Sequence, residues 1–276
     1  MKSRYESDGA SLAYVETGAG LPVVFLHPTP VDHAYWLPMT EELGGVRAIF
    51  PDLRGHGASE LGRLPVGGFA RVPDAPVLTM AQLAADIIEL MDHLHLQKAV
   101  VAGCSIGGYV ALELWRRAPE RIRGLAFVCS KPQPDAEANL EKRVATIVQA
   151  RAEGVSAIFD GMANTQSGAT SRARRPEIVA ELRARMTLTP EALVAVQAGL
   201  AARPDSVPSV AAIDVPVLAI IGGEDQGITT AEMEAFSAAP GGCEFHLLPD
   251  AGHMAAYEQP QKVAVLMAAW LRRLEQ

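Results

Sequence analysis

The sequence predicts an α/β fold in which helices cover both faces of a mostly parallel sheet. Short apolar runs alternate with longer helical patterns along the 276 residues, which is typical of a parallel sheet. Several runs are apolar without alternation, so their strands are predicted to be buried on both faces. The segment 133–205 contains only helical patterns and indicates a helical insertion between two strands.

Seven apolar runs are predicted to be strands. The first two, 11–16 and 22–27, are joined through TGAG and are expected to form an antiparallel start to the sheet. The other predicted strands are 46–52, 98–104, 124–129, 216–222 and 243–248. Periodic apolar positions predict helices over 79–95, 107–118 and 260–274.

The insertion is predicted to hold four short helices, in LEKRVATIVQARAEG, VSAIFDGMA, PEIVAELRARM and PEALVAVQAGLAA. An all-helical block between two strands is expected to act as a lid that excludes water from one end of the sheet. The predicted domains are a core over 1–132 and 206–276 and a lid over 133–205. The Pro/Gly-rich stretch 60–78 is expected to be a passive surface loop, with part of the pocket wall as the alternative.

Composition narrows the function classes. A net charge of −8 disfavours a nucleic-acid partner, which needs a basic surface. No apolar stretch reaches the ~18 residues of a membrane span, and the amino terminus lacks a signal-peptide pattern. Cys104, Cys129 and Cys243 are widely spaced and odd in number, which favours buried thiols over disulfides or a zinc site. We therefore expect a cytoplasmic protein without membrane association.

The hexapeptide GCSIGG at 103–108 contains the pattern Gly-x-Ser-x-Gly. Ser105 falls where the predicted strand 98–104 ends and a helix begins. A sharp turn at this point needs small neighbours, which Gly103 and Gly107 supply, and it turns the serine hydroxyl outward. A simple tight turn is the alternative, but the flanking strand and helix favour a catalytic nucleophile.

A serine hydroxyl needs a base, and His253 is the best placed of the seven histidines. It lies in PDAGHMAAYEQP, between the last predicted strand and the last helix. His246 lies within that strand, His93 and His95 lie at a helix end, and His56 is expected to brace its loop. An exposed loop histidine is the alternative interpretation of His253.

The imidazole needs an anion that fixes its tautomer. Asp225 follows the predicted strand 216–222 and is the first candidate, with the adjacent Glu224 second. Asp250 is expected to cap the turn before His253. The resulting order along the chain is Ser, Asp, His, as in hydrolases with a strand–serine–helix turn.

Two backbone N–H groups are expected to form an oxyanion hole. One belongs to Ile106, directly after the serine. The other is assigned to Thr29 in HPTP, because the prolines on either side of it have no N–H. The Thr29 hydroxyl is a possible further contact, and a proline-rigid loop without catalytic duty is the alternative.

These motifs resemble the α/β-hydrolase superfamily, in particular its small lidded serine hydrolases: esterases, enol-lactonases and cofactor-free haloperoxidase-like enzymes. HPTP resembles the HGxP loop, PDLRGHGAS the loop after the third predicted strand, and GCSIGG the nucleophile elbow. VPVLAIIGGED and AGHMAAYEQP resemble the acid and histidine segments. The resemblance implies an eight-stranded, mostly parallel sheet and an oxyanion role for Thr29. Pro28 departs from the usual glycine, which puts the shape of that loop in question.

The resemblance implies serine attack on a small-molecule ester or lactone, through an acyl-enzyme, without a metal or organic cofactor. An uncharged, moderately hydrophobic substrate is expected, although arginines of the lid could supply an ionic clamp. A lyase that eliminates or cleaves a C–C bond, and a ligand receptor with weak turnover, stay open as alternatives. The protein is expected to be a monomer or homodimer. The apolar residues expected to contact substrate are Trp36, Phe159, Met162, Met186 and Met254.

Overall fold

Eight strands form one sheet in a computed structural model that describes residues 2–274. The strands are β1 (Ser3–Ser7), β2 (Ala10–Gly18), β3 (Leu21–Leu26), β4 (Val46–Pro51), β5 (Ala99–Cys104), β6 (Ile122–Val128), β7 (Val217–Gly222) and β8 (Cys243–Leu248). Their order across the sheet is β1-β2-β4-β3-β5-β6-β7-β8. All neighbours from β4 to β8 are parallel, and only β1 and β2 make antiparallel pairs. The predicted fold class is confirmed.

The antiparallel start of the sheet differs from the sequence expectation. β2 and β3 run in opposite directions but do not pair, because β4 lies between them. β2 pairs with β4 from Tyr14 opposite Pro51 to Gly18 opposite Arg47. The first strand, β1, was missed because SRYES is polar and mostly exposed, so it carries no apolar run.

Twelve α-helices accompany the sheet in residues 2–274. Seven of them lie outside the insertion 133–205: α1 (Leu37–Thr40), α2 (Met80–His93), α3 (Ile106–Arg117), α9 (Val207–Val210), α10 (Thr230–Glu234), α11 (Ala255–Glu258) and α12 (Pro260–Leu274). Helices α2, α3 and α12 match the three predicted ones. Helices α2 and α12 each bury one apolar side against the core, as their amphipathic sequences require, whereas α3 is buried all round from Ile106 to Trp115.

Five helices lie in the insertion 133–205, one more than the sequence predicts. They are α4 (Glu137–Glu153), α5 (Ser156–Gln166), α6 (Ala169–Arg174), α7 (Pro176–Ala184) and α8 (Pro190–Ala201). The additional helix, α6, is a short polar segment without an apolar period. Helix α8 is buried from Ala192 to Leu200, because α4 packs along it.

The stretch 60–78 is not a passive surface loop. Phe69, Val72 and Leu78 are buried. The Leu78 N–H donates to the Ala195 carbonyl of α8, at 3.0 Å between N and O. Ion pairs of Arg71 with Glu137 and of Asp74 with Arg151 fasten the stretch to α4. The interpretation from composition failed because the few apolar residues are unevenly spaced and find partners only in the folded insertion.

Two further predictions concern membrane-spanning helices and the state of the cysteines. No helix within residues 2–274 is long and apolar enough to cross a membrane. All three cysteines are free; Cys104 and Cys129 are buried, and Cys243 is half-buried.

Candidate active site

Ser105 occupies a strained turn between β5 and α3. Its backbone φ of 51° and ψ of −116° lie in a region that side-chain-bearing residues rarely adopt. The turn is held by the Ser105 N–H, which donates to the Val128 carbonyl at 3.1 Å. A Cβ on Gly103 would overlap the backbone of Gly107, and a Cβ on Gly107 would overlap the Leu26 carbonyl. The two glycines therefore allow the close approach that this turn requires.

His253 lies in the loop between β8 and α11 and is held from both sides. Its backbone N–H donates to the Gln166 carbonyl of the insertion, at 2.9 Å. Its ring Nδ1 lies 2.8 Å from Asp225 Oδ2. Burial favours the neutral imidazole, but the charge of Asp225 and this hydrogen bond outweigh it and raise the pKa of His253 above its ordinary value.

Asp225 follows the end of β7, and its carboxylate is fully buried. Its Oδ1 accepts the N–H groups of Gly227, at 2.8 Å, and Ile228, at 3.1 Å. Burial opposes ionisation, but the charge and hydrogen bond of His253 and these two N–H groups outweigh it and lower the pKa of Asp225. The carboxylate is thus ionised at neutral pH and fixes a proton on His253 Nδ1.

The two other carboxylates considered for this role lie elsewhere. Glu224 accepts hydrogen bonds from the Thr170 N–H at 2.8 Å and the Thr170 hydroxyl at 2.6 Å, so it holds the insertion. Asp250 is exposed, and in residues 2–274 its side chain makes no hydrogen bond that would cap the turn.

Ser105 and His253 are brought to the same end of the sheet but are not hydrogen-bonded to each other in the described chain. Ser105 lines a cavity, and His253 Nε2 has no protein partner within residues 2–274. Catalytic hydrogen bonds are often long in an unliganded enzyme and shorten when substrate binds. The neutral Nε2 therefore has a lone pair available to accept a proton.

The two N–H groups expected to form the oxyanion hole have no protein acceptor in the part of the chain that the structure describes. Ile106 begins α3 directly after the serine, so its N–H has no partner within the helix. Thr29 lines the same cavity as Ser105. Its hydroxyl, however, lies 3.0 Å from His56 Nε2 and is occupied there, so only the Thr29 N–H remains for an oxyanion.

His27 and His56 brace the HPTP loop as neutral side chains. His56 Nδ1 donates to the Arg54 carbonyl at 3.0 Å, which leaves Nε2 to accept the Thr29 hydroxyl. His27 Nε2 accepts the Leu53 N–H at 2.9 Å, and its Nδ1 donates to the Pro28 carbonyl at 2.9 Å. Burial lowers the pKa of both histidines, that of His56 to about 3.

The remaining histidines lie outside the site. His246 Nε2 contacts Glu244 at 2.7 Å on β8. The ring of His93 packs against Tyr5 and Tyr14 at the end of α2.

His33 Nδ1 contacts Asp52 at 2.6 Å, and together with Asp32 these two residues are close enough to share a cation. Asp52 and Asp32 already accept backbone N–H groups, so the three residues form a loop brace.

A cavity of about 250 Å³ opens in front of Ser105, and most of the residues that line it carry polar side chains. Of the five residues expected to contact substrate, Met162 lines it. Trp36, Phe159, Met186 and Met254 are buried in the core and do not reach the cavity. A larger depression of about 650 Å³, around Trp115, includes none of the groups described above. The lining residues of the first cavity are Thr29, Ser105, Tyr109, Asn139, Lys142, Arg143, Thr146, Met162, Thr165, Gln166, Gln197 and Leu200.

Sequence reasoning missed the polar part of this wall. Asn139, Lys142, Arg143 and Thr146 recur on α4 at spacings of three and four residues, which places them on one side of a helix. A second polar pair, Thr165 and Gln166, ends α5. The row of polar residues on one side of α4 could have indicated this wall, but only the apolar residues of the insertion were expected to contact substrate. Of the apolar residues of the insertion, Phe159 and Met186 are buried in the core, and Met162 lines the cavity.

Comparisons with known proteins identify the family of this chain. A model of the alpha/beta hydrolase family matches residues 23–266. A thermophilic esterase from Thermogutta terrifontis, solved with malate bound, is 32% identical with a TM-score of 0.89, and the match covers 100% of both chains. The enol-lactonase from Burkholderia xenovorans LB400 is 26% identical with a TM-score of 0.86, over 98% of this chain and 100% of that one.

A curated relative is longer than this chain. The dihydrolipoyllysine-residue acetyltransferase component of the acetoin cleaving system from Cupriavidus necator is 29% identical over 94% of this chain. The chain spans 66% of the length of that protein. With most of its length matched by the family model and its whole length by a structure more than 30% identical, the chain belongs to the alpha/beta hydrolase family.

Proposed function

We propose that this chain is a serine hydrolase that cleaves a small carboxylic ester or lactone through an acyl-enzyme. The observation that carries the proposal is the buried Asp225–His253 pair, at 2.8 Å, at the same end of the sheet as the strained Ser105 turn. The similarity to an esterase and an enol-lactonase supports this reaction class.

In the proposed cycle, His253 Nε2 takes the Ser105 proton as Oγ attacks the carbonyl carbon. Asp225 keeps the other ring proton on Nδ1 and stabilises the imidazolium that forms. The tetrahedral oxyanion accepts hydrogen bonds from the N–H groups of Ile106 and Thr29. Loss of one such donor typically costs about 3–4 kcal/mol of transition-state stabilisation.

His253 then gives its proton to the leaving alcohol oxygen, and the acyl-enzyme forms. Water enters as the second nucleophile, with His253 again as base, and Ser105 is released with the acid product. In this proposal residues 133–205 act as a lid, because Met162 and Gln166 of α5 and Arg143 of α4 form one side of the cavity. The core is then 1–132 with 206–276.

Turnover of 4-nitrophenyl esters of graded acyl length tests the reaction class. We expect many turnovers by the wild type and none by Ser105→Ala, with both proteins showing the same thermal unfolding midpoint. The preferred acyl length reports the space in front of Ser105.

A folded wild type that does not turn over any of these esters contradicts a general esterase. A single burst of product points to a receptor, and an alkene product with activity retained in Ser105→Ala points to a lyase.

A further inference from the structure

The cavity in front of Ser105 is positively charged although the protein as a whole carries a net charge of −8. Two of the lining residues, Lys142 and Arg143, are cationic, and no aspartate or glutamate lines the cavity. Glu141 is adjacent in sequence but is exposed and not part of the wall. Local charge of this sign, opposite to that of the whole molecule, selects for an anion.

Buried ion pairs behind the wall leave one positive charge in excess. Asp135 is bound by two guanidinium groups, with 2.6 Å to Arg143 Nε and 2.8 Å to Arg203 Nη2. The nearby Glu232 is paired with Lys131. Three cations therefore face two carboxylates in this cluster. Of these three cations, Arg143 is the one that lines the cavity.

The hydrogen bonds of Arg143 leave part of its guanidinium free for a ligand. Nε donates to Asp135, and Nη1 donates to Gln197 Oε1 at 2.8 Å. These two bonds fix the plane of the group, whereas Nη2 has no protein acceptor in residues 2–274. Lys142, one residue along α4, is exposed and forms no ion pair with any described residue. Two donors without a protein acceptor among the described residues, Arg143 Nη2 and the Lys142 ammonium, thus stand at one side of a cavity of about 250 Å³.

We infer that the substrate is an ester or lactone that carries a second, free carboxylate, which binds to Arg143 and Lys142. This inference rests on the proposed function and specifies its substrate class. The carboxylate accepts from Arg143 Nη2 and pairs with the Lys142 ammonium, while the scissile carbonyl lies at Ser105. It replaces the sequence expectation of an uncharged substrate.

A matched pair of esters tests the inference: mono-4-nitrophenyl adipate, which is anionic, and methyl 4-nitrophenyl adipate, which is neutral. They share the leaving group and acyl chain, and the uncatalysed hydrolysis of each is subtracted. We expect the wild type to have a kcat/KM at least about tenfold higher for the anionic ester. We expect Lys142→Gln to reduce this ratio about three- to tenfold, mainly through KM, since it removes one partly solvated charge pair.

Two further variants separate charge from structure. Arg143→Gln is expected to reduce the ratio further, and Arg143→Lys to restore part of it, because lysine keeps the charge. Arg151→Gln is the matched control: it removes a cation from the same helix, but Arg151 pairs with Asp74 outside the cavity. The control is expected to leave the ratio unchanged.

Binding to the inactive Ser105→Ala variant gives a readout that does not depend on turnover. In calorimetric titrations, we expect monomethyl adipate to bind more tightly than dimethyl adipate, and Lys142→Gln in the same background to remove most of the difference. Equal binding of the two esters, or equal kcat/KM values in an active wild type, overturns the carboxylate inference and leaves ester hydrolysis intact. Absence of turnover and of binding for both esters overturns both proposals.

Discussion

Asp225 and His253 show how two groups set each other's protonation. Each is buried, and burial alone would neutralise both; the 2.8 Å contact between Oδ2 and Nδ1 reverses this for both. The carboxylate pKa falls and the imidazole pKa rises, so each partner stabilises the charged form of the other. A histidine with a raised pKa is protonated, and so inactive as a base, over more of the acidic range.

The pH profile of ester turnover tests the assignment of Asp225. In the wild type, kcat/KM is expected to rise with pH through a midpoint above the ordinary histidine pKa of about 6.5. Asp225→Asn removes the charge that stabilises the imidazolium, so the midpoint moves to lower pH. It also disfavours the required tautomer, and the plateau is expected to fall by about three to four orders of magnitude.

Glu224→Gln is the control for this experiment. Glu224 is the neighbouring carboxylate, but it binds Thr170 and not His253. We expect its variant to keep the wild-type midpoint. If the midpoint moved in Glu224→Gln and stayed in place in Asp225→Asn, the carboxylate that acts on His253 would be Glu224 and the assignment of Asp225 would be wrong.

At the scale of elements, one short segment of the insertion is hydrogen-bonded to the two loops that carry Asp225 and His253. The Gln166 carbonyl accepts the N–H groups of His253 and Met254. Glu258 of α11 accepts the N–H of Gly168 at 2.9 Å and that of Gly252 at 3.0 Å. With the Glu224–Thr170 bonds, these contacts fix residues 166–170 to the core. Any opening of the insertion therefore has to occur away from this segment.

Glu258→Gln tests the strength of this attachment. Glu258 is fully buried, and its two oxygens each accept one backbone N–H. Glutamine has one oxygen and places an NH₂ group against the other donor, which leaves a buried N–H without a partner. We expect the free energy of unfolding to fall by about 1–3 kcal/mol, measured by urea denaturation.

The control for that measurement is Glu234→Gln, on an exposed face of α10. It is expected to change the free energy of unfolding by no more than about 0.5 kcal/mol. Equal stability of the two variants would mean that the Glu258 bonds do not hold the insertion to the core.

At the scale of the whole molecule, His27 and His56 make the fold sensitive to acid. Both are fully buried and neutral, and the pKa of His56 is about 3 in the folded protein. The unfolded chain binds protons on these histidines below about pH 6.5, whereas the folded protein does not. Stability is therefore present above that pH and is lost as the pH falls towards the folded-state values.

Urea denaturation between pH 6 and pH 5 measures this loss. Each histidine that stays neutral is expected to contribute a decrease of about 1.4 kcal/mol per pH unit in the free energy of unfolding. His56→Gln is expected to be less stable at pH 7, because it loses the bonds to Arg54 and Thr29, but to show a shallower decrease with acid. An unchanged slope in this variant would mean that His56 is protonated in the folded state.

The sequence by itself determined the strands and turns that depend on residues adjacent in the chain. Apolar runs predicted seven of the eight strands. The central strands β5 and β7 are apolar along their length because they are buried on both faces. Gly103 and Gly107 marked the turn at Ser105, because a tight backbone approach leaves no space for a Cβ. The carboxyl ends of parallel strands meet at one edge of the sheet, so the positions of Ser105, Asp225 and His253 after predicted strands predicted the same end of the sheet for all three. The observed contact between Asp225 and His253 has this cause.

Tertiary structure decided the features that depend on distant partners. β4 separates β2 from β3, and 60–78 packs on the insertion, although no local pattern indicates either arrangement. Met162 lines the cavity, whereas Phe159, three residues earlier on the same helix, is buried. The positive wall of Lys142 and Arg143 faces Ser105 only because α4 packs along α8. A side chain's environment is set by what folds against it, and the sequence of its own element does not contain that information.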